Sequence, residues 1–418
     1  QNIKSEATDL LRRLVQINTS NPPGNEKEAI EFLSKIAKDN EFHVQVIETA
    51  PNRANLMISY NGTYRNPLIL LSHVDVVPAN GEDWEYDPFA GQVVDDVLYG
   101  RGTIDTKQLT IMQLMVMILL KRNNVVLKDD LVMIATADEE SGSELGLLKV
   151  LEQYGYLFEN SYVISEGGGF PIVVNHIPHY LCEVGQKGIC RLKFHFPKKS
   201  GSNPYFPDNE SIYASAVLVS QLNAMHWEEP LPITTQQLIR ELLTSVGYLN
   251  QALTCTVEEQ LKLLENSLSP FLVTLLKAMT KTTFTVIRWK GGRFHDGIGT
   301  AAEVEVDGRV LPGITKQDVR ERIEKLVKNS NIEWEITAFS EGYESSFDSP
   351  LFKRIQEKME EEISNCKTVP FISTGSSDGR FLRTFDSKVY GFSPMLPDMS
   401  FEKVLPMVHG INERIPLE

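Results

Sequence analysis

The chain has 418 residues, of which 42% are hydrophobic and 23% charged, a globular composition with length for two domains and a sizeable core. A formal net charge of -15 opposes non-specific attraction to nucleic acid or to an anionic membrane surface, so neither is expected as a partner. It does not exclude an anionic substrate, because the local charge of a site decides that.

From the N-terminus, residues Ser5 to Lys38 carry helical periodicity on both sides of Asn21-Pro-Pro-Gly24, so two helices separated by a turn are predicted. Branched apolar runs then predict strands over His43 to Glu48, Asn55 to Tyr60, Pro67 to Val77 and Gln92 to Tyr99. The order becomes helix (Lys107 to Arg122), strand (Leu131 to Ala137), helix (Ser143 to Tyr154) and strand (Tyr162 to Ser165), the alternation of an α/β sheet with helices on its faces. The apolar run Met112 to Leu120 is shorter than the roughly 20 residues that span a bilayer and reads as a buried helix. From about Gly188 the texture changes to a strand (Ile189 to Phe196), a Ser/Asn/Pro-rich loop (Lys198 to Asp208), several helices and a strand around Ala301 to Val310. Thr315-x-x-Asp318 opens a helix as a capping box, and Ile332 to Thr337 closes this inserted domain with a strand. The alternation resumes after about Ser340, with a helix over Pro350 to Ile363, a glycine-rich turn at Thr374 to Gly379 and a final loop at Val408 to Arg414. The predicted division is 1–187 with 339–418 as one domain and 188–338 as the insertion. Four scattered cysteines form no CxxC pair and are expected to stay reduced. No basic-then-apolar leader follows Gln1, and the cytoplasm is the expected location.

Polar residues collect at the ends of these predicted strands, where α/β sheets bind ligands. His73-Val-Asp75 ends one strand, and a carboxylate two residues from a histidine can hold its imidazole in the metal-binding tautomer. By itself such a histidine more often serves as a hydrogen-bonded core or rim residue. Asp105 precedes an apolar helix, as an N-cap does, but two nearby glycines, Gly100 and Gly102, also suit close backbone approach to a ligand. Asp138-Glu-Glu140 follows another strand, where three acids repel unless solvent or a cation offsets them. Glu166 and His409 complete two histidines with at least three carboxylates, an N/O set suited to zinc or a neighbouring first-row ion.

In combination these pieces resemble the metallopeptidase family of aminoacylase, acetylornithine deacetylase, succinyl-diaminopimelate desuccinylase and carboxypeptidase S. The resemblance rests on Thr19-Ser-Asn-Pro-Pro-Gly24, His73-Val-Asp75, Gly100-Arg-Gly-x-x-Asp105-x-Lys107, Asp138-Glu-Glu140, Glu166-Gly167, Asp307-Gly-Arg309-Val-Leu-Pro-Gly313, Gly375-Ser-Ser-Asp378 and His409-Gly-x-Asn412-Glu413, in family order. It implies a mixed α/β sheet flanked by helices, of zinc exopeptidase type, with an inserted α+β ferredoxin-like lid that mediates a homodimer. It further implies two divalent ions, zinc before cobalt or manganese. Asp105 would bridge them, His73 and Glu166 would complete one position, and Glu140 and His409 the other. Glu139 would be the general base, and Asp75 would orient His73. Arg309 and Gly375 would lie near the carboxylate of an N-acyl amino acid or short peptide substrate, although Arg309 could instead close a structural salt bridge.

Two positions depart from the family pattern. Ser202 stands where the lid histidine of Gly-His-(Ala/Ser)-Ser-x-Pro is expected, and loss of one oxyanion donor costs roughly 100- to 1000-fold in rate. Asp296 stands where an asparagine is usual, with His295 beside it. A catalytically silent member that binds metal and a small ligand is therefore the rival expectation. The long helical stretch Ile233 to Thr280 resembles the carboxypeptidase S branch.

Overall fold

A computed structural model describes residues 2–199, 210–225, 227, 229–293, 300–328 and 330–417. Two compact units are present: Gln1–Val184 with Ser345–Val369 and Ser377–Glu418, and Gly185–Glu344 with Pro370–Ser376.

In the first unit, the strand Leu68–His73 lies between Leu131–Thr136 and Tyr162–Ser165, parallel to both, and Lys388–Gly391 extends the parallel run beyond Tyr162–Ser165. Arg53–Ser59 and His43–Ala50 add antiparallel strands on the side of Leu131–Thr136. Ile177–Gln186 adds another beyond Lys388–Gly391. The sheet is therefore mixed. Its strands read as continuous apolar runs because both faces are covered. Leu56, Ile58, Leu70, Met133 and Ala135 pack with the helices Ile3–Gln16, Glu26–Asp39 and Lys107–Arg122. Their neighbours in sequence, Met57, Ile69, Leu71, Val132 and Ile134, are equally buried and point to the opposite face by the period-two rule. The helix Pro350–Glu362 contributes Phe352 and Met359 to a separate cluster with Tyr180, Cys182 and Tyr390.

The second unit is an antiparallel four-stranded sheet in the order Thr283–Arg293, Thr300–Val310, Gly188–Lys199, Glu333–Ser340. In chain order these are strands two, three, one and four, the split βαβ arrangement of ferredoxin-like folds. Helices Glu210–Ala224 and Lys316–Val327 supply Leu218, Leu222, Val319 and Ile323 to one core with Leu192, Phe194 and Val304. The Thr315–Asp318 capping box forms with both of its bonds. Four further helices, Ile233–Ser245, Leu249–Ala252, Val257–Leu264 and Pro270–Met279, occupy the expected helical stretch.

Several elements differ from expectation. The run Gln92 to Tyr99 is a hairpin, Gln92–Val94 paired with Val97–Tyr99, because Asp95 and Asp96 at φ 50° and 57° make a two-residue turn. The helix expected from Ser143 starts at Leu147, after a 3₁₀ turn at Glu139–Ser141. The strands Ile177–Gln186, Lys388–Gly391 and Thr283–Arg293 lie outside the predicted strands. Among the described residues no helix is long and apolar enough to cross a membrane.

Candidate metal centre

The parallel register aligns His73 with Thr136, and Gly391 with Ser165, so the carboxyl ends of these strands open at one edge of the sheet. His73 is the last residue of its strand, Glu139 and Glu140 follow Thr136, and Glu166 follows Ser165. Gly167, at φ +112°, leaves space for Glu183: a Cβ there would lie 2.2 Å from the Glu183 carboxylate. Asp105 enters on the turn before Lys107–Arg122, and buried Lys107 fastens that turn by donating to the Leu14 and Ile17 carbonyls at 3.0 and 2.8 Å. Burial pushes this ammonium down to about 7. His409 arrives from the C-terminal loop at φ 57°, a conformation uncommon outside glycine.

His73 Nε2 lies 3.1 Å from Asp105 Oδ1, 3.4 Å from Glu166 Oε2 and 3.9 Å from Glu139 Oε2. His409 Nε2 lies 3.0 Å from Asp105 Oδ2 and 3.2 Å from Glu140 Oε2. Three groups among the described residues could hold a cation, His73–Asp105–Glu166, His73–Glu139–Glu140 and Asp105–Glu140–His409, with Asp105 common to the first and the third. His73 Nδ1 faces the Asp75 carbonyl at 2.9 Å and the Asp75 carboxylate at 3.3 Å. With Nδ1 as donor, Nε2 keeps the lone pair a metal needs.

Electrostatics test whether these residues suit cations. Burial, followed by the Glu166 charge, drives Glu139 well above the usual carboxylate range, and burial raises Glu140 and Glu166 as well. Burial would raise Asp105 too, but hydrogen bonds from His409 and His73 carry it below its ordinary value. Hydrogen bonds to Asp105 and then Glu140 lift His409 to about 10. Glu140 Oε1 is buried and meets no hydrogen-bond donor among the described residues. An orphaned carboxylate oxygen among crowded acids is costly unless positive charge reaches it, so the donor set fits divalent cations with N/O preference.

A second layer of residues fixes the acidic turn. The Asp75 carboxylate accepts the backbone N–H groups of Glu139 and Glu140, each at 3.1 Å, and Asn21 Nδ2 at 2.9 Å. Asn21 also donates to Asp138 Oδ1 at 3.0 Å, which accepts Arg53 at 2.9 Å; Arg53 in turn is bidentate on buried Glu26. Asp378 accepts from Ser143 and Thr136, and Arg380 lies 3.8 Å from Glu139 Oε1. Sequence reasoning did not single out Arg53, Glu26 or Arg380, whose patterns are those of ordinary charged surface residues. Asn21, Asp378 and Glu413 carried a signal only as members of the segments that resemble the family pattern, 19–24, 375–378 and 409–413.

Arg309 and Gly375 belong to the second unit. There the Arg309 guanidinium grips Asp307 at 2.8 and 3.3 Å, the salt-bridge alternative, and Gly375 donates its N–H to Ser373 Oγ at 3.2 Å. Ser202, His295 and Asp296 lie outside the described residues.

Comparisons with known proteins give a consistent picture. The family model described as peptidase family M20/M25/M40 matches residues 69–418. The human N-fatty-acyl-amino acid synthase/hydrolase PM20D1 is 27% identical over 376 residues, covering 84% of this chain and 71% of that protein. Probable carboxypeptidase S-like 1 of Dictyostelium discoideum is 25% identical over 390 residues, covering 90% and 75%. Among solved structures, the M20 family metallo-carboxypeptidase Sso-CP2 of Sulfolobus solfataricus superposes with a TM-score of 0.72 at 20% identity, covering 99% of this chain and 95% of that one.

Proposed function

Since the chain belongs to peptidase family M20/M25/M40 and is a metallohydrolase, we propose that it hydrolyses the amide bond of small N-acyl amino acids or short peptides at a pair of divalent ions. The observation that carries this reading is that Asp105 joins two ligand groups with otherwise separate members, His73 with Glu166 and Glu140 with His409. His73, Asp105 and Glu166 would hold one ion, and Asp105, Glu140 and His409 the other, with zinc the expected metal and cobalt or manganese able to replace it. When bound, such a pair supplies Lewis acidity that polarises the scissile carbonyl and acidifies water.

The chain's own residues carry the proton. Glu139 stands 3.9 Å from His73 Nε2, at the edge of the ligand cluster. It accepts a proton from the attacking water on a carboxylate oxygen and returns it to the leaving amine nitrogen, base then acid. In the metal-free site burial, ahead of the Glu166 charge, raises its proton affinity. Asp75 orients both His73 and the Glu139–Glu140 turn. Names of the relatives, N-fatty-acyl-amino acid synthase/hydrolase and carboxypeptidase S-like, support an N-acyl amino acid or peptide substrate. Arg309 and Gly375 are the proposed contacts of its carboxylate and Ser202 of its carbonyl. Arg309 would have to exchange its Asp307 partner for the substrate. We assign the catalytic domain to 1–187 with 339–418 and the lid, with a homodimer contact, to 188–338, in a cytoplasmic protein. Ser202 in place of a histidine favours the second reading, a silent member that binds metal and a small ligand.

The test is turnover of a panel of N-acyl amino acids and dipeptides by zinc-loaded protein. Release of free amino acid that stops on chelation and returns with zinc is the expected result; two bound ions with no turnover on any substrate would establish the second reading. Asp75→Asn is expected to weaken metal binding about 10–100-fold, the range for a group that orients a ligating histidine. Calorimetric titration of the metal-free protein measures this, and unchanged affinity would remove Asp75 from that role.

A further inference from the structure

Glu413 is fully buried and takes no part in any of the three ligand groups, although it lies four residues after His409. Its carboxylate gathers four donors. Oε1 accepts the backbone N–H groups of Ile104 at 2.7 Å and Asp105 at 3.0 Å. Oε2 accepts the Gly102 N–H at 3.0 Å and the Arg101 guanidinium at 2.8 Å. The Glu413 carbonyl also receives the Gly100 N–H at 2.9 Å, and Arg414 pairs with Tyr99 in the next ladder position. Arg101 is itself held over the Trp84 ring at 5.0 Å. The turn from Gly100 to Asp105 is thus wrapped around one side chain supplied by the far end of the chain. Hydrogen bonds to a charged acceptor are the strong ones, and a neutral amide in that place offers one oxygen for four donors.

We propose that Glu413 is a positioning residue that sets Asp105 for both metal positions at once, so that its loss weakens two ions where loss of His409 weakens one. The C-terminal loop then acts on Asp105 twice, directly through His409 Nε2 at 3.0 Å and indirectly through the backbone that Glu413 holds. This inference rests on the two-metal reading given above. A structural filler would alter stability alone; a positioning group alters the affinity of both positions in a protein that is otherwise intact.

The experiment titrates zinc into metal-free wild type, Glu413→Gln, Glu413→Asp and His409→Ala by calorimetry, with the melting temperature of each recorded in chelator. Glu413→Gln is expected to lose about 10–100-fold in affinity at both positions, the range for an outer partner of a metal ligand. His409→Ala should weaken one position only. Glu413→Asp keeps the charge but withdraws it by one methylene; weakening at both positions in this variant too supports positioning, while wild-type affinity means that charge balance with Arg101 is all the side chain supplies and overturns the proposal. Two ions bound at wild-type affinity by Glu413→Gln, or a loss confined to one position, also overturns it. Should Glu413→Gln fail to fold, Arg101→Met, which keeps the three backbone bonds, is titrated beside Glu413→Asp. It should retain affinity within a few-fold where the aspartate variant does not, and the reverse order counts against the proposal. Wild type that binds no pair of ions would instead sink the two-metal reading itself.

Discussion

Glu139→Gln is expected to lower kcat by about 10²–10⁴-fold, the span that a positioned general base contributes, while both metal ions stay bound. The amide has the shape of the carboxylate but no proton-accepting oxygen of comparable basicity. Its surroundings favour the exchange, because burial and the Glu166 charge already penalise the ionised form of Glu139. The backbone bond from Glu139 N to Asp75 is untouched by the change, so the turn that presents Glu140 stays in place. The metal-free melting temperature should therefore hold or rise. Measurement of kcat at saturating substrate, with bound metal counted on the same sample, separates the roles: activity within a few-fold of wild type removes Glu139 as the base. Loss of metal together with activity would make it a ligand instead.

Arg53→Met is expected to cost about 3–5 kcal/mol of stability, the effect of removing one partner from a buried ion network. The guanidinium is 9% exposed and spans Glu26 and Asp138, with Glu26 wholly buried. Methionine fills much of the volume and leaves both carboxylates without their cation. Burial already raises the Glu26 carboxyl above its usual value, and the hydrogen bond from Arg53 works against that rise. The sign of the pH dependence follows: a carboxyl whose folded pKa is raised contributes stability below its unfolded value, near 4.5, and loses it as pH climbs through the folded value. With Arg53 gone the folded value rises further, so the deficit of the variant should be smallest in acid and widen towards neutrality. Urea melts at several pH values read this directly, and a deficit under about 1 kcal/mol at neutral pH, as for an exposed pair, would show that the network is solvated. The double variant Arg53→Met with Glu26→Gln should recover part of the loss, since it removes one stranded charge.

Much of the fold was legible locally. The apolar run Lys107–Arg122 gave its helix with both boundaries, and Thr315 with Asp318 announced a capping box that forms. The positions of His73, Glu139, Glu140 and Glu166 at strand ends were readable because parallel strands in α/β sheets share a carboxyl edge. Motif order supplied Asp105 and His409, whose local surroundings said little. The hairpin within Gln92 to Tyr99 was hidden because two aspartates at positive φ carry no glycine to mark the turn.

The sequence by itself determined the candidate donors, because strand ends, helix starts and residue chemistry are local properties with periods of two or 3.6 residues. Only the tertiary structure decided which of them meet. Asp105 and Glu413 are 308 positions apart and share a hydrogen bond, as do Asn21 and Asp138 across 117 and Arg53 and Asp138 across 85. Sheet order and loop closure set those contacts, and no repeat in the chain encodes them. Burial did the rest: the same glutamate is an ordinary solvated acid on an exposed loop and a cation-seeking group when buried at the carboxyl edge of a sheet.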